Sequence, residues 1–573
     1  MFSKKKIYKN LPLIIFTIAV FYIVLNFFLE SFRESTRYMI SSSHPLATQA
    51  GEKILKRNGN AIDAAITTQM VLNVVEPQSS GIGGGGFLLY YDKKNEHIEV
   101  YDGREVAPKK AQQDLFLRAD GNPLNHSEAI LGGKSVGVPG LLAMLNLAHK
   151  DHSTFSLKEL FQPAIDLAKN GFPVSSRLSE QITNDKLLRK TETSKRFFYD
   201  KDNSAKKTEE IIYNKNFSET LEYISVEGVE GFYHGKIAKK IIQKIHKSKI
   251  NPGEMELSDL KNYKAKKRNV ICKQYRIVWK VCGMPPPSSG GIAILQALGI
   301  LENFDMHNYK GQTDKIIHLL SETLRLIFED RNKYIGDPDF VKVPMENLLN
   351  PFYLKERSQL IKLDQKMEKT FPMSFEDSQD ISFSEMASNE KDSTSHISII
   401  DQEGNAVAFT SSIESAFGSR LMVEGFLLNN QLTDFSFIPN KNGIKVANKV
   451  EPNKRPMSSM SPTLVFKNNS LYLILGSPGG QNIISYVLKT LIYIIDFDMK
   501  IVKAIDAPNF AIRNQEMFIE ENRLDDLTIR RLEDLGHDIV YKKMKSGLNV
   551  IKIKNGKIYG EADSRRQGLA LGN

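Results

Sequence analysis

Between residues 371 and 410 the chain passes from a polar stretch without periodicity into two short alternating runs. Residues 371–393 carry six acids (Glu376, Asp377, Asp380, Glu385, Glu390, Asp392), one lysine and many serines. Such a stretch buries little apolar surface and predicts an exposed linker. Residues 394–400 then alternate polar and apolar positions, 401–405 (Asp-Gln-Glu-Gly-Asn) supply a turn, and 406–410 return. This predicts a β-hairpin whose first strand opens at Thr394. Upstream, residues 62–70 have helical spacing, 77–87 form a glycine-rich turn entering a strand over 87–91, and 160–172 read as a helix stopped by Gly171. A rigid loop over 283–291 precedes an apolar helix over 292–301. From residue 471 strands and helices alternate, with a buried helix over 483–494.

The remaining pattern is terminal. Residues 1–10 are short and basic, and 11–29 are apolar apart from Thr17, Tyr22 and Asn26. Nineteen residues at about 1.5 Å each nearly cross a bilayer core. The preceding lysines would stay in the cytoplasm and place the rest of the chain outside, in the periplasm or on another extracytoplasmic face. The segment is a signal peptide or an uncleaved anchor, and the bulky residues after it favour the anchor.

Composition adds limits. The 573 residues are 41% hydrophobic, enough for a sizeable core. The net charge of +10 is scattered lysine plus a basic N-terminus, without a basic stripe interleaved with aromatics, so no nucleic-acid partner is expected. The four glycines at 83–86 lack a dinucleotide spacing or a following Gly-Lys-Ser/Thr, which argues against nucleotide binding. No Cys/His cluster predicts a metal. Cys272 and Cys282, ten apart in a strand-rich stretch, leave two outcomes: a disulfide in an oxidising compartment or two buried thiols.

A hydroxyl residue where a loose linker meets a core strand suits self-cleavage. The Thr394 hydroxyl would attack the Ser393 carbonyl, and hydrolysis of the resulting ester would free a new N-terminus. Its α-amine, with a pKa near about 8, would then serve as a base. Alone, a Thr-Ser-His strand start is more often a half-buried strand edge. His396 shares a strand face with Thr394 and could tune the amine, though a lone strand histidine is more often structural. Thr410, Ser412 and Glu414, two apart on the return strand, should also share a face.

The motifs that follow change the weight of Thr394. Asn429-Asn-Gln-Leu-Thr-Asp-Phe-Ser436, Arg455-Pro-Met-Ser-Ser-Met-Ser-Pro462 and Gly476-Ser-Pro-Gly-Gly480 come in order after it, and Tyr101-Asp-Gly-Arg-Glu-Val-Ala-Pro108 lies before it. Together, from about residue 44 to the C-terminus, the chain resembles the γ-glutamyltransferase (glutathione hydrolase) family of N-terminal nucleophile enzymes. The resemblance implies a four-layer αββα sandwich, preceded here by one N-terminal hydrophobic helix, and built from two fragments, 40–393 and 394–573, that stay associated as a heterodimer. It implies Thr394 as nucleophile, Ser412 as its supporting hydroxyl, and Gly479 and Gly480 as the oxyanion hole. Arg104, Ser458 and Ser459 would hold a substrate carboxylate, and Glu414, Gln431 and Asp434 its α-amine. Glu414 stands where the family usually has asparagine, which bears on substrate choice. The stretch 437–453 is short and lacks an aromatic plug, which would favour bulkier acyl chains or water as acceptor. The closing Asp563-Ser-Arg-Arg566 segment would be structural. The implied reaction is γ-glutamyl transfer from glutathione to water or an amino acid, without a cofactor. A poly-γ-glutamate depolymerase or β-lactam side-chain acylase is the alternative within the class. An unprocessed, membrane-tethered amino-acid-binding homologue is the alternative outside it.

Overall fold

The computed structural model describes residues 34–372, 374, 393–513 and 516–573. Two seven-stranded sheets dominate it. In spatial order the first contains Leu569–Gly572, Met39–Ser42, Ser395–Ile400, Ala406–Ser412, Gly85–Asp92, His97–Asp102 and Lys266–Arg268. The second contains Glu34–Ser35, Lys557–Ala562, Asn549–Lys554, Ser470–Gly476, Thr463–Lys467, Trp279–Gly283 and Ile271–Tyr275. Every neighbouring pair in both is antiparallel.

The sheets face one another, and each buries its other face under helices. Ile397, Ile399, Val407 and Phe409 join helices Pro45–Lys56, Ala61–Val75 and Leu157–Asn170 in one core. Ala406 and Ala408, from the opposite face, join the second sheet and helices Gly290–Leu301 and Ile483–Ile495 in another. The fold is thus mixed α/β. Helix Ala61–Val75, which the spacing predicts over 62–70, is buried at every position because the first sheet and helices Pro45–Lys56, Leu141–His152 and Leu157–Asn170 enclose it. Its polar residues have internal partners: Thr67 Oγ1 donates to the Leu160 carbonyl at 3.0 Å, and Gln69 accepts from Ser411 Oγ at 2.7 Å.

The expected hairpin is present, paired from Ser395 with Ser411 to Ile400 with Ala406. Its polar face, however, is not a solvated edge. Ser395, His396 and Ser398 are buried because that side meets the second sheet. There Ser398 Oγ donates to the Asn549 carbonyl at 2.9 Å, and His396 bonds Thr410 Oγ1 at 2.8 Å and Ser398 Oγ at 3.1 Å. The His396 ring lies over Gly476, where a Cβ would stand 2.3 Å from its Cε1. Alternation here separates an apolar buried face from a hydrogen-bonded buried face.

Other elements match in kind and differ at their ends. Helices span Leu157–Asn170, with Gly171 as C-cap, and Ile483–Ile495. The cysteines lie opposite one another on strands Ile271–Tyr275 and Trp279–Gly283 and form a disulfide. Most of the 371–393 linker lies outside the described residues; Ser393, its last residue, is buried rather than exposed because the start of the hairpin carries it inside. Among the described residues no helix is long and apolar enough to cross a membrane, and the expected segment 11–29 lies outside them.

Two stability outcomes follow from the contact between the sheets. Gly476→Ala should destabilise the protein by about 1–3 kcal/mol in urea unfolding, since the new methyl must displace the His396 ring. Burial holds His396 down at about 3, against an ordinary 6.5. The unfolded chain therefore binds the extra proton first, and this contribution to stability is fully present above pH 6.5 and is lost as pH falls toward 3. His396→Asn should flatten that part of the stability–pH curve.

Candidate active site

Thr394 stands one residue before strand Ser395–Ile400, continuing the face of His396 and Ser398 that looks between the sheets. Its Oγ1 is in hydrogen-bonding contact with the Ser393 carbonyl oxygen and 3.3 Å from Ser412 Oγ. Ser412 Oγ donates to that same carbonyl at 3.0 Å and accepts the Glu414 N–H at 2.9 Å. Ser393 Oγ donates to the Gln78 carbonyl at 2.6 Å, and Arg566 Nη1 donates to the Thr394 carbonyl at 2.9 Å. The 393–394 peptide is therefore held on both sides by parts of the chain remote from it in sequence.

Arg104, Ser393, Thr394, Ser412, Glu414, Gln431, Asp434, Ser458 and Gly480 line one cavity of about 20 Å³, together with Met460 and Ile483. Larger cavities of about 680 and 850 Å³ contain none of these residues. Two expected members stand apart from the lining. Ser459 Oγ accepts from Arg331 Nη2 at 2.8 Å, so it is engaged by helix Thr313–Tyr334. Gly479 lies just behind Gly480 at φ +139°, where a Cβ would meet the Tyr486 ring at 2.6 Å. At φ +55°, Gly480 brings its own backbone to the cavity wall without a side chain in the way.

Glu414 reaches the cavity by a different route from the one expected. The return strand ends at Ser412, and Glu414 has φ +76° in the turn beyond it, so strand alternation does not place it. Its carboxylate accepts Ser415 Oγ at 2.5 Å and also bonds Asn430 Nδ2. The sequence reading gives no site role to Asn430, although it lies within the motif 429–436, to Gln78 in the glycine-rich turn, or to Arg566 in the closing segment, since each acts through a side-chain contact that the motif order does not show. His396 bonds within its own sheet and does not bond Thr394 in these contacts.

The charges in the cavity oppose each other. Arg104 Nη2 donates to Asp434 Oδ2 at 2.5 Å and to the Met457 carbonyl at 2.7 Å, and its Nε to the Pro456 carbonyl at 3.1 Å. Gln431 Nε2 donates to the same Asp434 oxygen at 2.7 Å. Behind Arg104 lies Glu105, with an oxygen 3.8 Å from Nη1. Burial pushes its carboxyl up to about 7. A guanidinium and a serine hydroxyl beside two carboxylates suit a zwitterionic amino-acid head. Phe437, the sole aromatic of 437–453, stacks on Phe116 with ring centroids 4.5 Å apart.

Two facing sheets under helices, with a threonine hydroxyl at the head of an inner strand, define the mixed α/β class of N-terminal nucleophile hydrolases. Within that class the chain belongs to the γ-glutamyltranspeptidase family, whose family model matches residues 47–573. It is 38% identical to the glutathione hydrolase proenzyme of Bacillus subtilis (strain 168) over 545 residues, covering 93% of this chain and 91% of the relative. Among solved structures it is similar to a cephalosporin acylase from Bacillus halodurans, with TM-score 0.82, 26% identity and coverage of 94% of this chain and 96% of that one. It also resembles the Helicobacter pylori γ-glutamyltranspeptidase, with TM-score 0.56, 35% identity and coverage of 59% of this chain and 97% of that one.

Removing the Arg104 cation would leave Asp434 and Glu105 buried beside one another. Arg104→Ala should therefore lower unfolding free energy by about 3–5 kcal/mol, and Glu105→Gln in the same chain should recover part of the loss. Denaturant titration of the two single variants and the double variant checks both.

Proposed function

We propose that this chain is a self-cleaving γ-glutamyl transferase and hydrolase, cut between Ser393 and Thr394. The observation that carries the reading is the wiring of that one peptide: the Thr394 hydroxyl against the Ser393 carbonyl, and the Ser412 hydroxyl donating to the same oxygen. Thr394 Oγ1 attacks the Ser393 carbonyl carbon, the C–N bond breaks as the nitrogen takes up a proton, and an ester joins the two parts. Ser412 stabilises the charge gathering on the carbonyl oxygen. Water hydrolyses the ester and leaves fragments 1–393 and 394–573.

Cleavage does two things at once. It frees the Thr394 amine to act as base for its own hydroxyl. It also releases Ser393 from the cavity, whose volume of about 20 Å³ has room for little more than one water. In the opened site, Arg104 and Ser458 bind the carboxylate of a γ-glutamyl donor, while Glu414, Gln431 and Asp434 bind its ammonium. Ser459 then acts from behind Ser458 and turns toward substrate only by leaving Arg331. Thr394 attacks the γ-carbonyl, Gly479 and Gly480 offer backbone N–H groups to the oxyanion, and the amine leaves with a proton. Water or an amino acid resolves the γ-glutamyl ester. Glutathione is the proposed donor, in keeping with the name of the Bacillus subtilis relative.

The layering of helices, sheet, sheet and helices supports the αββα sandwich of a two-fragment enzyme, and coverage of only 59% of this chain by a nearly whole solved transpeptidase chain is consistent with it. We place the enzyme on an extracytoplasmic face, tethered by residues 11–29, on the strength of the basic–apolar N-terminus and the disulfide. A second reading, side-chain acylase, draws on the likeness to the cephalosporin acylase and on the Glu414 carboxylate. Turnover of glutathione against glutaryl amides separates the two.

Intact mass and N-terminal sequencing test the core of the proposal. Wild type should yield a fragment beginning at Thr394, and Thr394→Ala should stay one chain with turnover lower by about 10³-fold or more. Ser412→Ala should slow cleavage by about 10²-fold. A folded wild type that remains intact would sink the reading.

A further inference from the structure

Far from the cavity, one buried cluster has no part in this chemistry. His318 and Glu322 stand four apart on helix Thr313–Tyr334 and so share a face. His537 follows helix Asp526–Asp534. All three are buried, and one potential ligand atom from each lies within 4.8 Å of the others.

The hydrogen bonds fix what these atoms can do. His318 Nε2 lies 2.7 Å from the Lys362 carbonyl, which only accepts, so the ring proton sits on Nε2 and Nδ1 carries a lone pair. That Nδ1 faces His537 Nε2 at 2.7 Å. The Glu322 carboxylate accepts the Met367 N–H at 2.7 Å on one oxygen and Arg325 Nε at 2.8 Å on the other, and each oxygen keeps a further lone pair. A carbonyl behind one imidazole and two donors behind the carboxylate are the supports that orient metal ligands.

We propose that His318, Glu322 and His537 form a binding site for a divalent cation of the zinc class, which joins the part of the chain before Thr394 to the part after it. Two imidazoles and one carboxylate suit zinc, with a fourth position left for solvent. Binding moves the His537 proton from Nε2 to Nδ1, turning the contact between the rings into two metal bonds. The ring nitrogens must part to about 3.3 Å, the separation set by bonds of about 2.0–2.1 Å in tetrahedral geometry. Arg325 opposes the ion's charge and limits its affinity. The same locus holds the segment leading to residue 372, through Met367 and through Lys366 N–H donating to the Leu535 carbonyl at 2.7 Å.

Only the joining role rests on the cleavage proposed above; the ion site does not. The test therefore uses full-length wild type and uncleaved Thr394→Ala, each equilibrated with zinc, passed over a chelating resin and counted by elemental mass spectrometry. About one zinc per chain is expected in both, with visible cobalt(II) absorption on substitution and loss of both signals in His537→Gln and Glu322→Gln. Variants are compared only where circular dichroism matches wild type, and His318→Asn serves where one of the others does not fold. Equal metal content in wild type and variants, or none in either, would overturn the site. Zinc bound in wild type without raising the temperature at which its fragments separate would overturn the joining role. Wild type that is not cut but binds zinc as Thr394→Ala does would count against the cleavage reading alone.

Discussion

The register that pairs Ser395 with Ser411 fixes where Thr394 stands, and the site depends on it. Sliding the strand by one residue would turn its polar face toward the helices and its isoleucines toward the second sheet. Buried hydroxyls would lose their partners on one side, and apolar packing would be broken on the other. The same register puts Ser412 next to Ser393 and Thr394, and lets Arg566 hold the Thr394 carbonyl from the far end of the chain. A reactive hydroxyl is thus positioned by ordinary packing rather than by a flexible loop, and the close approach at Gly476 leaves little room for the strand to shift.

The same economy governs charge. Arg104 and Gln431 already donate to the Asp434 carboxylate before any ligand arrives. A zwitterionic head brings its own carboxylate and ammonium, so it can exchange for these contacts without leaving a charge bare. A ligand with only one of the two charges would break the internal pairing and compensate only one side of it, which is unfavourable in a buried site. In the function we propose, selectivity for an amino-acid end follows from that balance.

Much of this was legible in the sequence, and the reasons for the rest are physical. The hairpin and the glycine turn are legible from pattern, and Arg104, Asp434 and Ser458 from the family resemblance of the motifs around them. The burial of the polar strand face did not, because alternation reports two unlike faces and cannot say that the polar one meets another sheet. Glu414 was expected from strand parity, which ends at Ser412; its arrival in the cavity depends on a left-handed turn. Ser459 was paired with Ser458 by adjacency, yet neighbours in an extended segment point opposite ways, and Arg331 engages the second of them. Arg566, Gln78 and Asn430 act across distances in sequence that no local pattern spans.

Both sheets interleave the two sides of Thr394. Met39–Ser42 lies between Leu569–Gly572 and Ser395–Ile400, and Trp279–Gly283 extends a sheet begun by Lys557–Ala562 and its neighbours. If the chain is cut as we propose, such halves cannot trade partners without unravelling the sandwich. A cell carrying one working and one defective copy would hold two unmixed populations, so a defective copy would dilute activity rather than poison it.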